Sequence, residues 1–382
     1  MSITQATNFN FPTSIRFGAG VIAELPQHLK DMNKLRPLVV TDKALASLPL
    51  FEKIMDSFKK AGLTPIVFTD ISKNPIEQNV VSGAESFNQN GADCIIGLGG
   101  GASMDVARAI ALKAHHTRDL FDFDDALGGD KYVTEKVPYF VTVPTTSGTG
   151  SEVGRSSVIS ENESHRKRIL FSPRLMAQKV FADPALTLDL PPHITAATGV
   201  DALVHNLEAY FSKGFSPLCD GIALEGIRLI ADSLPGAVNQ SNIENRSKMM
   251  MAALMGATAF QKGLGVIHSF AHSLSTHFDT HHGLANAVMM TYGVKFNAEI
   301  CKDKIVHLNS ILGLKNDPQA FIAWLAQLNE TIGISNDLKK LGVTKDSVDK
   351  LADTAFKDMC HQCNPRPVTL NDFKQLYLEA LA

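Results

Sequence analysis

Five of the thirteen histidines fall in one stretch, GLGVIHSFAHSLSTHFDTHHGLAN, between Gly263 and Asn286. They are His268, His272, His277, His281 and His282. Histidine is the commonest metal ligand, and its ordinary pKa lies nearest neutrality. This density among Phe, Leu, Val and Ile points to metal or proton chemistry rather than to packing alone. His268 and His272 are four residues apart, which stacks them on one face of a helix. Asp201 and His205 repeat the spacing earlier, in GVDALVHNLE. One carboxylate with several imidazoles is a nitrogen-rich, borderline-soft donor set that suits Fe(II), Zn or Mn. Any one such histidine is more often a hydrogen-bonded core residue. Two i,i+4 pairs beside a histidine-rich loop are harder to explain by packing. Spacing does not choose among the five histidines as partners for Asp201 and His205.

A second chemistry is written in glycine. Gly97-Leu98-Gly99-Gly100-Gly101-Ala102 fits GxGxxG/A between a predicted strand and a predicted helix. Glycines let backbone approach a pyrophosphate, and the free N–H groups of a helix start bind its charge. The plain alternative is a tight strand-to-helix turn. Asp42 closes an apolar strand, where its carboxylate could bond ribose hydroxyls and repel a 2′-phosphate, favouring NAD over NADP; its alternative is to cap the following helix. Unlike the usual dinucleotide pattern, this acid lies upstream of the glycines. A further small-residue loop, Thr145 to Ser151, also follows a strand. It either closes over a nucleotide or supplies hydroxyl caps to a helix.

These residues need a frame. Predicted strands at Phe9–Phe17, Leu38–Asp42, Pro65–Thr69, Cys94–Leu98, Tyr139–Val143 and Lys179–Ala182 alternate with helices over Val21–Lys30, Phe51–Ala61, Glu77–Asn90 and Ser103–His115. This alternation predicts a mostly parallel sheet covered by helices on both faces. After Pro191-Pro192 helical periodicity takes over, at His193–Phe211, Pro217–Leu234, Asn242–Gln261 and beyond. The expected organisation is an α/β Rossmann-like domain over residues 1–186 and an all-helical domain over 187–382.

Composition narrows the classes. The 382 residues carry a net charge of −3, with 45% hydrophobic and 20% charged residues. That balance gives no electrostatic reason for a nucleic-acid or anionic-membrane partner. No apolar run is long enough to cross a bilayer. The first residues lack the basic head and apolar core of an export signal, so a cytoplasmic location is expected. The five cysteines do not read as a disulfide framework. Cys360-His361-Gln362-Cys363 is a CxxC without a second pair, expected to be reduced and structural.

Four motifs, in order and spanning nearly the whole chain, resemble the iron-containing, group III alcohol dehydrogenase family. They are Gly99-Gly100-Gly101-Ala102-Ser103-Met104-Asp105, the run from Pro144 to Glu152, Ala197 to His205, and Gly265 to His272 with His282-Gly283. Departures are small. Ala102 stands where the family often has serine, Arg108 where it often has lysine, and Ile76 replaces the threonine of Asn-Pro-Thr. The resemblance implies the dehydroquinate synthase-like fold of that family. It implies one divalent metal, Fe(II) first and zinc as the alternative, on Asp201, His205, His268 and His282. It places His272 at the substrate as the catalytic proton relay. It sets NAD against Asp42, Gly99, Gly100, Gly101, Ala102, Ser103, Asp105, Thr145, Thr146, Thr149, Val158 and Lys167.

The expected reaction is hydride transfer between a small primary alcohol and NAD, in a homodimer. Local wording around Glu152-Val-Gly-Arg155, Asp220-Gly-Ile-Ala-Leu224 and Ala259-Phe-Gln-Lys-Gly263 is similar to the 4-hydroxybutyrate dehydrogenase branch. Arg155 or Lys262 could therefore face a substrate carboxylate. Two other readings are a non-redox, metal- and NAD-dependent lyase of the dehydroquinate synthase type, and a non-catalytic nucleotide-binding protein.

Overall fold

The computed structural model describes residues 13–163 and 166–382. Among these, contacts gather the chain into two compact units, 13–146 with 150–188, and 147–149 with 189–382. The expected strand from Phe9 is described only from its end. It forms β1 (Ser14–Phe17); residues 9–12 lie outside the described residues.

The first unit is built on β1, β2 (Pro37–Val40), β3 (Ile66–Phe68), β4 (Cys94–Gly99), β5 (Tyr139–Pro144) and β8 (Lys179–Ala182). They form one parallel sheet in the order β1-β8-β5-β4-β2-β3. Alternate side chains explain why these strands read as unbroken apolar runs. Leu38, Val40, Ile95 and Phe140 join one core; Val39, Ile96, Val141 and Val143 join the other. Each face is covered, so both parities are apolar. From β2 the chain steps to β3 on one side and then to β4, β5 and β8 on the other, so the order reverses between β2 and β4 and the carboxyl ends of β2, β4 and β5 lie side by side. This is where open parallel sheets bind ligands.

Two features differ from the sequence reading. β6 (Ser156–Ser160) and β7 (Lys167–Phe171) form a separate antiparallel pair that periodicity did not reveal. Their segments, SSVIS and KRILF, carry too few apolar residues for a clear alternation. The second strand stops at Val40, two residues before Asp42, because Asp42 caps the helix Lys43–Ala46.

The second unit is helical. Pro192–Phe211 runs through its core and is buried on nearly every face, against Pro217–Asn239, Ile243–Ala259 and His282–Asn297. An all-round apolar helix is what a central position demands. Val266–Phe278 packs on His282–Asn297, with Val348–Lys357 beside it. No single helix among the described residues is long and apolar enough to cross a membrane.

Candidate active site

The two halves of the expected site are built separately. In the first unit, β4 ends in Gly99, whose φ of +144° belongs to the region that favours glycine. A Cβ there would lie 2.7 Å from Ser103 Oγ and 3.7 Å from Asp42 Oδ2. Backbone, hydroxyl and carboxylate thus converge on one turn. Gly100 caps the helix Gly101–Lys113 with no side-chain cap hydrogen bond among the described residues, leaving an anion-ready helix start. The Thr145 N–H donates to the Gly99 carbonyl at 3.0 Å, which ties the end of β5 to this turn. Thr146 lies against Gly100. Asp42 adopts the capping role at one oxygen, Oδ1 accepting from Leu45 N–H at 2.9 Å. Its Oδ2 is the oxygen that faces Gly99.

Other nucleotide candidates are distributed differently. Asp105 turns both oxygens to protein groups: Oδ1 accepts from Ser151 Oγ at 2.7 Å and from Arg108 at 3.2 Å, Oδ2 from Val158 N–H at 3.0 Å. In these contacts Asp105 braces the chain after β5. Arg108 is fully buried and donates to the carbonyls of Ser151, Ser156 and Leu175. Burial lowers its pKa, while Asp105 and Glu152 oppose that shift. Val158 sits on β6 opposite Ile169, and Lys167 opens β7 opposite Ser160. Thr149 falls in the 147–149 segment grouped with the helical unit.

Glu152 carries no site role in the sequence reading. It is 1% exposed, and neither oxygen has a hydrogen-bond partner in another of the described residues. Burial pushes its carboxyl up to about 7, against the charge of Arg108. A carboxyl raised in the folded chain holds its proton more tightly there than in the unfolded chain. Stability therefore falls as pH rises from roughly 4.5 to 7, by about 3 kcal/mol, and is flat above. Glu152→Gln stays neutral, so it is expected to unfold at a higher temperature than the parent at pH of about 8, but not at about 5. Parallel midpoint-against-pH curves for the two proteins would refute this.

In the helical unit, Asp201 and His205 do lie one turn apart on one helix, both buried. Asp201 Oδ1 is 4.0 Å from His205 Nε2, 4.0 Å from His268 Nε2 and 3.4 Å from His282 Nε2. A tetrahedral ion with bonds of about 2.0–2.1 Å needs ligand atoms roughly 3.4 Å apart, so a small contraction suffices. His282 reaches the group because its helix start lies close against the Pro192–Phe211 helix. A Cβ on Gly283 would fall 2.1 Å from the Ala197 carbonyl oxygen, so only glycine fits.

Donor states fit a cation. Burial lowers His205 to about 4, leaving it neutral at neutral pH. His268 Nε2 is buried and has no hydrogen-bond partner among the described residues. Its other nitrogen, Nδ1, bonds Glu208 Oε2 at 2.7 Å, which fixes the ring. Burial alone would lower the His268 pKa; the hydrogen bond and charge of Glu208, with Asp201 and Asp358, reverse this and raise it. Asn286 Nδ2 donates to Asp201 Oδ1 at 2.8 Å.

His272 stands apart from this cluster. Its ring stacks on His282 at 5.3 Å, and Nδ1 bonds Asp358 Oδ2 at 2.7 Å. Asp358 also accepts from Ser269 Oγ at 2.8 Å and Cys360 N–H at 2.9 Å. Burial would raise its carboxyl, but His272 and these donors hold it well below the usual carboxylate range. His272 and His282 are each 29% exposed, which leaves this side of the cluster open to a small molecule. His277 bonds Thr354 Oγ1 at 2.7 Å and lies outside the cluster. Lys262 is removed from the substrate-carboxylate reading. Its side chain is 1% exposed, is paired with Asp220, and donates to the Tyr210 carbonyl at 3.0 Å. Arg155 is half-buried, with its guanidinium over the Phe171 ring.

Glu208, Asn286 and Asp358 were not anticipated. Glu208 lies three residues after His205 and Asn286 four after His282, so helical spacing carried a signal for both. Asp358 lies 86 residues from His272, and no local pattern links them.

Comparison with known proteins identifies the family of the chain. The model of iron-containing alcohol dehydrogenases matches residues 12–184, and that of the C-terminal part of the same family matches residues 195–381. The chain is 33% identical to the 4-hydroxybutyrate dehydrogenase of Cupriavidus necator over 379 residues, covering 97% of this chain and 98% of that protein. It is also 33% identical to the NAD-dependent methanol dehydrogenase of Bacillus methanolicus, covering 98% of this chain and 100% of that one. The crystal structure of a 1,3-propanediol oxidoreductase superposes with a TM-score of 0.94 at 31% identity, covering 98% of this chain and all of that one. A sulfoacetaldehyde reductase from Bifidobacterium kashiwanohense, solved with NAD+, gives a TM-score of 0.91 at 28% identity, each chain 99% covered. With both units matched and the cluster assembled, the chain is an oxidoreductase that belongs to the iron-containing alcohol dehydrogenase family.

Proposed function

We propose that this protein interconverts a small primary alcohol and its aldehyde, with NAD as hydride partner and one divalent metal, Fe(II) or zinc, at Asp201, His205, His268 and His282. The observation that carries the reading is the convergence of one carboxylate oxygen and three imidazole Nε2 atoms within 3.4–4.0 Å of that oxygen. A divalent cation held there supplies Lewis-acid chemistry, favouring the ionised form of an alcohol near neutral pH. Glu208 orients His268, and Asn286 orients Asp201. His272, held by Asp358, carries the alcohol proton between substrate and solvent. The Nδ1 proton of His272 is committed to Asp358, so Nε2 is the atom that takes up and releases the alcohol proton.

NAD is assigned mainly to the first unit, with Thr149 contributed by the 147–149 segment. Phosphates lie at the start of the Gly101–Lys113 helix, with Gly99, Gly100, Gly101, Ala102 and Ser103. Thr145, Thr146 and Thr149 close the loop, Val158 and Lys167 contribute from β6 and β7, and Asp42 Oδ2 takes the ribose. The NAD+ complex of the sulfoacetaldehyde reductase and the NAD-dependent methanol dehydrogenase support this choice of cofactor. Asp42→Ala is expected to raise the ratio of kcat/KM with NADPH to that with NADH by roughly tenfold or more, because the repelling charge is gone. An unchanged ratio would leave Asp42 as a helix cap only.

The substrate is a short alcohol or aldehyde. A hydroxy acid such as 4-hydroxybutyrate is favoured by the Cupriavidus relative, with Arg155 as the remaining cation; the methanol and propanediol relatives favour an uncharged one. A homodimer in the cytoplasm completes the reading. Screening short aldehydes with NADH, succinic semialdehyde and propionaldehyde side by side, on the iron- and zinc-loaded protein tests it. No oxidation of NADH or NADPH with any of them would overturn it.

A further inference from the structure

The CxxC motif is a sequence feature that the proposed chemistry leaves unused. Cys360–Cys363 forms a single 3-10 turn. Such a turn has three residues per revolution and a rise of about 2 Å each, so its first and fourth residues eclipse with Cα atoms roughly 6 Å apart. A disulfide accepts Cα separations of roughly 4.4–6.8 Å. Cys94, Cys219 and Cys301 are buried, whereas Cys360 and Cys363 are both half-buried.

The turn is also wired to His272. The ligand atoms of Cys360, Asp358 and His272 all lie within 4.8 Å of one another. Cys360 N–H donates to Asp358 Oδ1, and His361 N–H donates to Ser269 Oγ at 3.0 Å. Ser269 and His272 share the Val266–Phe278 helix. Rearranging Cys360 therefore disturbs the carboxylate that holds the His272 ring.

We infer that Cys360 and Cys363 are a reversible oxidation site, a vicinal dithiol that closes to a disulfide and thereby displaces Asp358 from His272. Closure uses a low-molecular-weight disulfide as oxidant. Cys363 attacks one of its sulfurs, breaks the S–S bond and releases one thiol. Cys360 then displaces the second, forming the Cys360–Cys363 bond. Two protein thiols are oxidised, one external disulfide is reduced to two thiols, and the two thiol protons end on those products. Cys363 attacks first because burial and Asp358 push the Cys360 thiol far above its ordinary value. The effect on turnover rests on the role of His272 proposed above; formation of the bond does not.

The test uses the full-length, metal-loaded protein, incubated with oxidised glutathione without oxygen, then alkylated. Peptide mass mapping is expected to find Cys360 linked to Cys363 with the other three thiols alkylated. Turnover is expected to fall roughly tenfold or more and to return with dithiothreitol. Cys363→Ser is expected to keep basal turnover and lose the sensitivity. Absence of the linkage overturns the site even if the enzyme is active. Linked protein with undiminished turnover, or an equal loss in Cys363→Ser, overturns the coupling to His272. A protein inactive before oxidation that still forms the linkage would count against the proposed function and not against the site.

Discussion

Asp201→Ala is expected to leave the protein unable to retain a divalent metal and to lower kcat/KM for aldehyde reduction by at least about 10³-fold. Asp201 is the only carboxylate among the four converging donors, and its Oδ1 is the atom that all three imidazoles face. Without it the cluster is three nitrogens, one on a ring that burial already keeps neutral. The cation then loses its sole charge-neutralising ligand. Asn286 would also be left with a buried amide lacking its acceptor. Asp201→Asn retains the shape but not the charge, and is expected to bind metal more weakly than the parent while staying folded. Metal content by elemental analysis, read beside the thermal midpoint, separates the ligand role from a structural one. Full metal retention in Asp201→Ala would remove Asp201 from the ligand set.

Glu208→Ala is expected to weaken metal binding by about 10- to 100-fold and to destabilise the fold by roughly 3–5 kcal/mol. Glu208 is 4% exposed and accepts four bonds: from Gly265 N–H at 2.9 Å, Ile267 N–H at 2.6 Å, His268 Nδ1 at 2.7 Å and, longer, His268 N–H at 3.4 Å. The first two satisfy donors at the start of the Val266–Phe278 helix, which has no side-chain cap of its own at Gly265. The third aims His268. One carboxylate therefore seats a helix and orients the ring it carries. Removing it leaves buried donors unpaired, which explains the size of the stability loss. Glu208→Gln keeps one acceptor and is expected to recover much of the stability but little of the metal affinity. Titration of metal into the apo-protein, with denaturation midpoints, reads the two effects. If both variants bind metal as tightly as the parent, His268 is not held by Glu208.

The sequence carried the frame well where periodicity was strong. The largely buried strands β2, β4, β5 and β8 are short apolar runs bounded by turn residues, and they fall within about two residues of where those runs predict them. β6 and β7 escaped because SSVIS and KRILF pack only one face and lack that contrast. The Asp201–His205 pair was legible because four residues are one helical turn. Choosing His268 and His282 needed the family resemblance, since spacing treats five histidines alike. Asp358 was illegible in principle: its link to His272 is made by tertiary packing of a turn against a helix. Lys262 shows the opposite failure. A lysine near the motifs invited a substrate role, whereas the fold buries it against Asp220.

In the proposed function a cation on Asp201, His205, His268 and His282 enables NAD-linked aldehyde reduction. The most direct measurement is the rate of NADH oxidation by one preparation, first stripped of metal and then restored with measured Fe(II) or zinc, with a short aldehyde present. The expected result is no rate in the stripped protein and a rate that rises with metal to saturation at about one ion per chain. A stripped protein that oxidises NADH as fast as the restored one would contradict it.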